Sequence, residues 1–193
     1  MKVKKNLEID QVRSYLDEIF GQTVHKKRQY SLADAALGLL NSESLRLHQL
    51  GEGLANAKGL EKKHTTKQID RLLSNDKLSI WDIAKKWVPY VIGQRETINV
   101  ALDWTSFATD DQETVCINLL TTHGRATPLL WHTVKKSQLK NNRARYEDQL
   151  LSRLKDSIPD NVKVTVMADR GFASYKFFEF LEKELGFSYV IRI

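Results

Sequence analysis

The sequence contains one cysteine, three prolines and no long apolar run. A single thiol, Cys116, excludes an internal disulfide and any zinc site built from several cysteines, and it is typical of a reducing compartment. No stretch approaches the roughly 20 apolar residues that a transmembrane helix requires. The basic start of the chain is followed by acidic residues where a signal peptide has an apolar region. We therefore expect a cytoplasmic protein that contacts no membrane.

The composition is that of an ordinary globular protein, with 41% hydrophobic and 28% charged residues in a chain of 193. This length allows one large domain or two small ones. The net charge of +6 is concentrated at the start: residues 1–100 carry 17 lysines and arginines against 12 acids. Such an excess is compatible with binding to nucleic acid and does not require it.

The first part of the chain has apolar residues at helical spacing. We expect a helical domain over residues 1–93. Ser31 is a candidate N-cap, Gly93 a candidate left-handed C-cap, and Pro89 a point where the last helix ends or kinks. The predicted helices cover residues 7–20, 32–40, 43–57, 66–74 and 79–92.

From residue 94 the pattern becomes that of strands alternating with helices. The predicted strands cover residues 97–104, 113–122, 126–134, 162–168 and 187–193, with helices at 142–156 and 174–185. Pro128 indicates an edge position or a bulge in the third strand. Short loops make the first three strands antiparallel neighbours, and crossovers follow. The order β-β-β-α-β-α-β predicts an α+β or α/β fold with a mixed, ribonuclease H-like sheet over residues 94–193.

Two carboxylates stand out in these strands: Asp103 lies inside the first, and Asp169 follows the fourth. A buried charge requires a partner, a metal ion or solvent. If the first strand lies centrally beside the fourth, the two carboxylates converge, and their oxygens suit Mg²⁺ or Mn²⁺. Two such ions promote phosphodiester cleavage. Local roles compete with this one, since Asp103 can bond a neighbouring amide and Asp169 can cap a turn in which Gly171 has a positive φ.

Three motifs carry a resemblance to a known family. They are residues 102–105 (Leu-Asp-Trp-Thr), 123–128 (His-Gly-Arg-Ala-Thr-Pro) and 168–172 (Ala-Asp-Arg-Gly-Phe). They resemble the bacterial cut-and-paste transposases of the insertion-sequence-four family, which have a DDE core. Residues 66–75 are similar to the segment ahead of that core. The resemblance covers roughly the last two thirds of the chain.

The resemblance implies that Asp103 and Asp169 are the first and second metal-binding acids. It implies Mg²⁺ or Mn²⁺ as the cofactor, nicking of DNA at insertion-sequence ends as the reaction, and strand transfer as its completion. The N-terminal helices match the region that binds terminal repeats. A second copy or a full-length transposase is an expected partner. The basic side chains that we expect to contact DNA are Lys62, Lys63, Lys67, Arg71, Arg125 and Arg170.

The third acid of the family has no counterpart here. It is a glutamate in a Tyr-Arg-Glu-Lys box beyond an insertion after the fifth strand, and the sequence ends at Ile193. We therefore expect a truncated copy that does not transpose DNA alone. Two alternatives remain: a stand-alone ribonuclease H-like nuclease that takes its further acid from Glu147 or Asp148, and a non-catalytic DNA-binding fragment that competes with a full-length transposase.

Overall fold

A computed structural model describes residues 8–21, 23–122, 124 and 126–192. Contacts divide the chain into two compact units, Met1–Ile83 and Ala84–Ile193. The division falls inside the helix Ile80–Ile92, whereas the limit expected from the sequence, residue 93, directly follows that helix. The chain is a mixed α and β protein in which helices come first and a sheet follows.

The described elements of the first unit are helices, as predicted. They are α1 (Ile9–Phe20), α2 (Lys26–Leu40), α3 (Leu47–Lys58), α4 (Lys62–Leu73) and the first residues of α5 (Ile80–Ile92). Apolar side chains of the first four helices meet in one core, because each helix has a single apolar face. The most deeply buried members of this core are Val12, Ala33, Leu37, Leu54 and Ile69.

Helices α3 and α4 cross closely at a glycine. The Thr65 hydroxyl donates to the Gly51 carbonyl oxygen at 2.6 Å. A Cβ added at Gly51 would lie 2.7 Å from the Thr66 Cα, so no larger residue fits without separating the helices. Gly59 has a φ of 64° and ends α3 in the left-handed conformation, so that α4 begins after a short turn.

The predicted N-cap at Ser31 is wrong. Helix α2 begins earlier, behind His25, whose Nδ1 accepts a hydrogen bond from the Lys27 amide at 3.3 Å. Ser31 lies inside the helix, and its hydroxyl donates to the Lys27 carbonyl oxygen at 3.1 Å. The hydroxyl thus bonds back along the helix, which is the other local role that serine commonly takes.

Helix α5 does not end at Pro89 but continues through it to Ile92. Gly93 then takes a φ of 62°. Its amide donates to the Pro89 carbonyl oxygen at 2.9 Å, which confirms the predicted C-cap.

A five-stranded mixed sheet forms the centre of the second unit. Its strands are β1 (Thr97–Phe107), β2 (Gln112–Leu120), β3 (Ala126–Lys135), β4 (Lys163–Ala168) and β5 (Ser188–Ile191). They lie in the order β3-β2-β1-β4-β5. The first three are antiparallel neighbours, as predicted, and β1, β4 and β5 run parallel, so the condition for bringing Asp103 and Asp169 onto neighbouring strands is met. β3 is an edge strand whose pairing shifts beside Pro128, as expected.

One face of this sheet is buried and the other is largely exposed. On β1, Ile98 and Leu102 are each 2% exposed, whereas Asn99 and Asp103 on the opposite face are exposed. The remaining described helical elements are α6 (Lys136–Leu139), α7 (Arg143–Lys155), α8 (Tyr175–Glu179), the 3₁₀ turns Ala108–Asp110 and Arg170–Phe172, and a π-helical turn, Phe180–Glu184. None of the described helices combines the length and the apolar character that crossing a bilayer requires.

Candidate functional site

The pairing between the three parallel strands of the second unit stops at one level of the sheet, although β1 itself continues to Phe107. Leu102 of β1 pairs with Ala168 of β4, and Ala168 pairs with Ile191 of β5. The next residue on each strand is therefore Asp103, Asp169 and Arg192, respectively. Since neighbouring strands lie about 4.8 Å apart, the sheet brings these three side chains into one row across its carboxyl-terminal edge.

Asp103 makes a local hydrogen bond and is otherwise exposed. Its Oδ1 accepts from the backbone amide of Trp104 at 2.8 Å. This is the amide contact that the local interpretation of Asp103 required. Because Oδ2 has no hydrogen-bond partner in the described part of the chain, the carboxylate keeps one oxygen for a ligand.

Asp169 caps the short 3₁₀ turn Arg170–Phe172. Its Oδ1 accepts from the Gly171 amide at 2.8 Å. The positive φ considered for Gly171 is not present. The structure favours glycine at position 171 for a different reason, because a Cβ there would lie 3.0 Å from Asp169 Oδ1. A larger residue at this position would therefore press on the carboxylate.

Cys116 of β2 lies opposite Asp103 in the sheet. Burial raises the pKa of its thiol, and the negative charge of Asp103 raises that pKa further. The thiol donates to Asn118 Oδ1 at 3.6 Å. Cys116 is therefore held as a neutral thiol, a poor ligand for a hard cation.

A hollow opens beside Asp169. It has a volume of about 480 Å³ and is lined by Asp169, Arg170, Gly171 and Arg192. Arg170 was predicted as a DNA contact, but Arg192 was not. Its position depends on the register of β5 against β4, where the Arg192 amide donates to the Ala168 carbonyl oxygen at 3.3 Å. The only sequence signal was an arginine at the end of an apolar strand.

Glu147 on α7 is buried away from the two aspartates. Its Oε1 accepts from the Trp104 indole nitrogen at 2.7 Å and lies 3.5 Å from Arg143 Nε. Burial raises the Glu147 pKa, although the Trp104 hydrogen bond and the Arg143 charge both lower it. The neighbouring Asp148 also has a pKa raised by burial. Glu147 therefore serves a contact with Trp104, which is not the arrangement that a stand-alone nuclease requires.

The two aspartates alone suit a hard divalent cation by their donor chemistry. Magnesium commonly binds proteins through one or two carboxylates and fills its other positions with water and substrate phosphate. Within the described ranges, no three histidine, cysteine, aspartate or glutamate side chains come together as a metal site. Asp103 and Asp169 thus fit one shared ion, with most of its coordination left to other ligands.

The helical unit carries its own group of basic side chains, on α4. Lys62 pairs with Glu52 at 2.7 Å, so its charge is partly compensated. The side chains of Lys63, Lys67 and Arg71 are exposed and recur every four residues, which places them along one side of the helix. They have no ion-pair partner among the residues that the structure describes. The remaining predicted DNA contact, Arg125, lies outside the described residues.

No protein-family model matches the chain, and no curated protein matches it. The family resemblance of the three motifs therefore stays a prediction.

Proposed function

We propose that the chain is a DDE-type DNA transposase of the insertion-sequence-four kind that carries two of the three metal-binding acids. The observation that supports this most strongly is the placement of Asp103 and Asp169 on adjacent parallel strands, one residue beyond a paired position. The strand order β3-β2-β1-β4-β5, with β1 central, is the order expected of a ribonuclease H-like core. The two acids are 66 positions apart in the chain, and only this topology makes them neighbours.

The roles of the site residues follow from their geometry. Asp103 and Asp169 would hold a divalent cation through their exposed oxygens, while the Trp104 and Gly171 amides fix the other oxygen of each carboxylate. When bound, the ion supplies charge stabilisation at the oxygens of a phosphodiester. Both acids are exposed, so a DNA strand can reach them from solvent.

We do not expect this chain alone to cleave DNA strands. In the described ranges no third acid joins the pair, because Glu147 bonds Trp104 and Glu179 pairs with Lys183 at 2.8 Å. A site with two carboxylates holds the first ion weakly and lacks a ligand for a second. The chain is therefore expected to bind DNA and a divalent ion without efficient turnover.

The test is a nicking assay on supercoiled plasmid with Mn²⁺, using the wild type and the variants Asp103→Ala and Asp169→Ala. We expect little or no nicking by any of the three proteins. Efficient nicking that both variants abolish would show that two acids suffice and would overturn the proposed inactivity. Efficient nicking that survives both substitutions would overturn the assignment of the two aspartates.

A second candidate function, binding of duplex DNA without cleavage, is favoured by α4. Helices α3 and α4 are joined by a short turn that begins with Gly59, and helix-turn-helix proteins have a glycine-containing turn of this length. In those proteins the second helix enters the major groove, and here the second helix carries Lys63, Lys67 and Arg71. Such a chain would compete with a full-length transposase for its DNA ends.

Selection from a random duplex pool separates the two functions. Wild-type protein should enrich a sequence, and the triple variant Lys63→Ala, Lys67→Ala and Arg71→Ala should lose that enrichment. If the triple variant loses the enrichment, and the wild-type protein binds a metal ion without cleaving DNA, then binding of duplex DNA is the function. Unchanged enrichment in the triple variant would remove α4 from the DNA contact.

A further inference from the structure

We propose that Arg170 and Arg192 form a subsite for the phosphate of a nucleic-acid strand, next to Asp169. The inference deepens the proposed function and rests on it for the identity of the ligand. The subsite is the hollow of about 480 Å³ that these two arginines line together with Asp169 and Gly171. This volume lies within the range of about 300–1,000 Å³ that is usual for small-ligand sites.

Two separate pieces of backbone deliver the two guanidinium groups. Arg170 begins the 3₁₀ turn that Asp169 caps. Arg192 comes from a different strand, one residue after the Ala168–Ile191 pair. The convergence is therefore fixed by the pairing of β4 with β5, and it is not a run of charged residues on one solvated segment.

The two guanidinium groups are not used within the fold. Both arginines are exposed, and among the described residues neither forms an ion pair or a side-chain hydrogen bond. The acid that lines the hollow, Asp169, forms no ion pair with them, and its Oδ1 accepts the Gly171 amide. Two uncompensated guanidinium groups that face one hollow suit an anion, and their planar donors match the oxygens of a phosphate.

The order of charges gives the subsite a direction. Across the edge of the sheet the row runs from Asp103 through Asp169 to Arg192, from negative to positive. If a cation on Asp103 and Asp169 binds one phosphodiester of a DNA strand, the next phosphate along that strand would lie beside Arg192. The arginines would thus position the strand and would take no part in bond breaking.

The test is an NMR titration of the full chain with thymidylyl-thymidine, a dinucleotide with a single phosphodiester, observed at the arginine Nε–Hε groups. The signals of Arg170 and Arg192 should shift along a saturable curve. Arg192→Gln should weaken binding about tenfold, as expected for loss of a hydrogen bond to a charged group. The matched control Arg145→Gln, an exposed arginine on α7, should leave the curve unchanged. The neutral methylphosphonate dinucleotide should produce no saturable shift.

The variant Asp169→Asn provides a second check, because a purely structural role of the two arginines predicts no change in affinity for the dinucleotide. Removal of its negative charge from the hollow should strengthen binding of the dinucleotide, because repulsion of the phosphate falls. Shifts of equal size at every exposed arginine, without saturation, would overturn the subsite, as would an Arg192→Gln variant with wild-type affinity. Saturable binding in a protein that binds no divalent ion would keep the subsite and reject the metal site, so that the two proposals fail separately.

Discussion

The hydrogen bond between Glu147 and Trp104, the residue that follows Asp103, is a partly buried, charge-assisted contact, and its strength can be measured by a double-mutant cycle. The variants are Trp104→Phe, Glu147→Gln and their combination. Trp104→Phe removes the indole donor that lies 2.7 Å from Glu147 Oε1. Glu147→Gln keeps an oxygen acceptor of similar size and removes the charge.

The expected magnitude follows from the kind of bond. A hydrogen bond to a charged group contributes about 1.5–3 kcal/mol and a neutral one about 0.5–1.5 kcal/mol. Trp104→Phe should therefore cost about 1 kcal/mol more in the wild type than in the Glu147→Gln background. Loss of indole surface is common to both backgrounds and cancels, whereas Arg143, which stacks on the ring at 5.0 Å and lies 3.5 Å from Glu147 Oε1, is part of the measured coupling.

The assay is amide hydrogen exchange of β1 and β2, because a chain with two units need not unfold in one step. The coupling free energy should be about 1 kcal/mol when Glu147 is ionised. It should vanish in acid, when the carboxyl group is protonated. A coupling near zero that does not change with pH would refute the contact, and with it the argument that Glu147 is withdrawn from the metal site.

The sign of the pH dependence is set by the raised pKa of Glu147: its contribution to stability is present below the unfolded-state value and is lost as pH rises through the folded-state value. Stability of the sheet unit, followed by hydrogen exchange, should thus fall with rising pH more in the wild type than in Glu147→Gln. In the helical unit, Gly51→Ala should destabilise by about 1–3 kcal/mol in urea unfolding, since its Cβ overlaps α4. The exposed control on α3, Asn56→Ala, should be neutral or slightly stabilising. In fluorescence anisotropy, the logarithm of the binding constant for duplex DNA falls linearly with the logarithm of the salt concentration, and Lys67→Ala should make this slope shallower by about 0.9. An unchanged slope would show that Lys67 does not contact a phosphate.

Periodicity located the elements of the sheet well because its strands are rich in β-branched and apolar residues and are separated by clear turn residues. The same features made the antiparallel meander predictable, whereas the pairing of β1 with β4, which places Asp103 and Asp169 on neighbouring strands, was only a condition. Helix starts were less predictable. Ser31 has the right chemistry for an N-cap, but α2 extends one and a half turns further back, where its residues are polar and show no apolar period.

The parts of the site that sequence reasoning missed depend on register and on side-chain direction. Arg192 faces Asp169 only because Ile191 pairs with Ala168, and no local pattern encodes that pairing. Glu147 was a candidate metal ligand by its place in the chain. Its side chain turns to the Trp104 indole instead, which satisfies a buried donor and acceptor at once.

The most direct test of the central claim is binding of Mn²⁺ to the full chain, followed by electron paramagnetic resonance of the free ion. The wild type should bind one ion at a site that Asp103→Asn and Asp169→Asn each remove. The control Asp160→Asn, an exposed acid between α7 and β4, should bind as the wild type does. Equal binding by all four proteins, or none by the wild type at millimolar Mn²⁺, would contradict a metal site formed by Asp103 and Asp169.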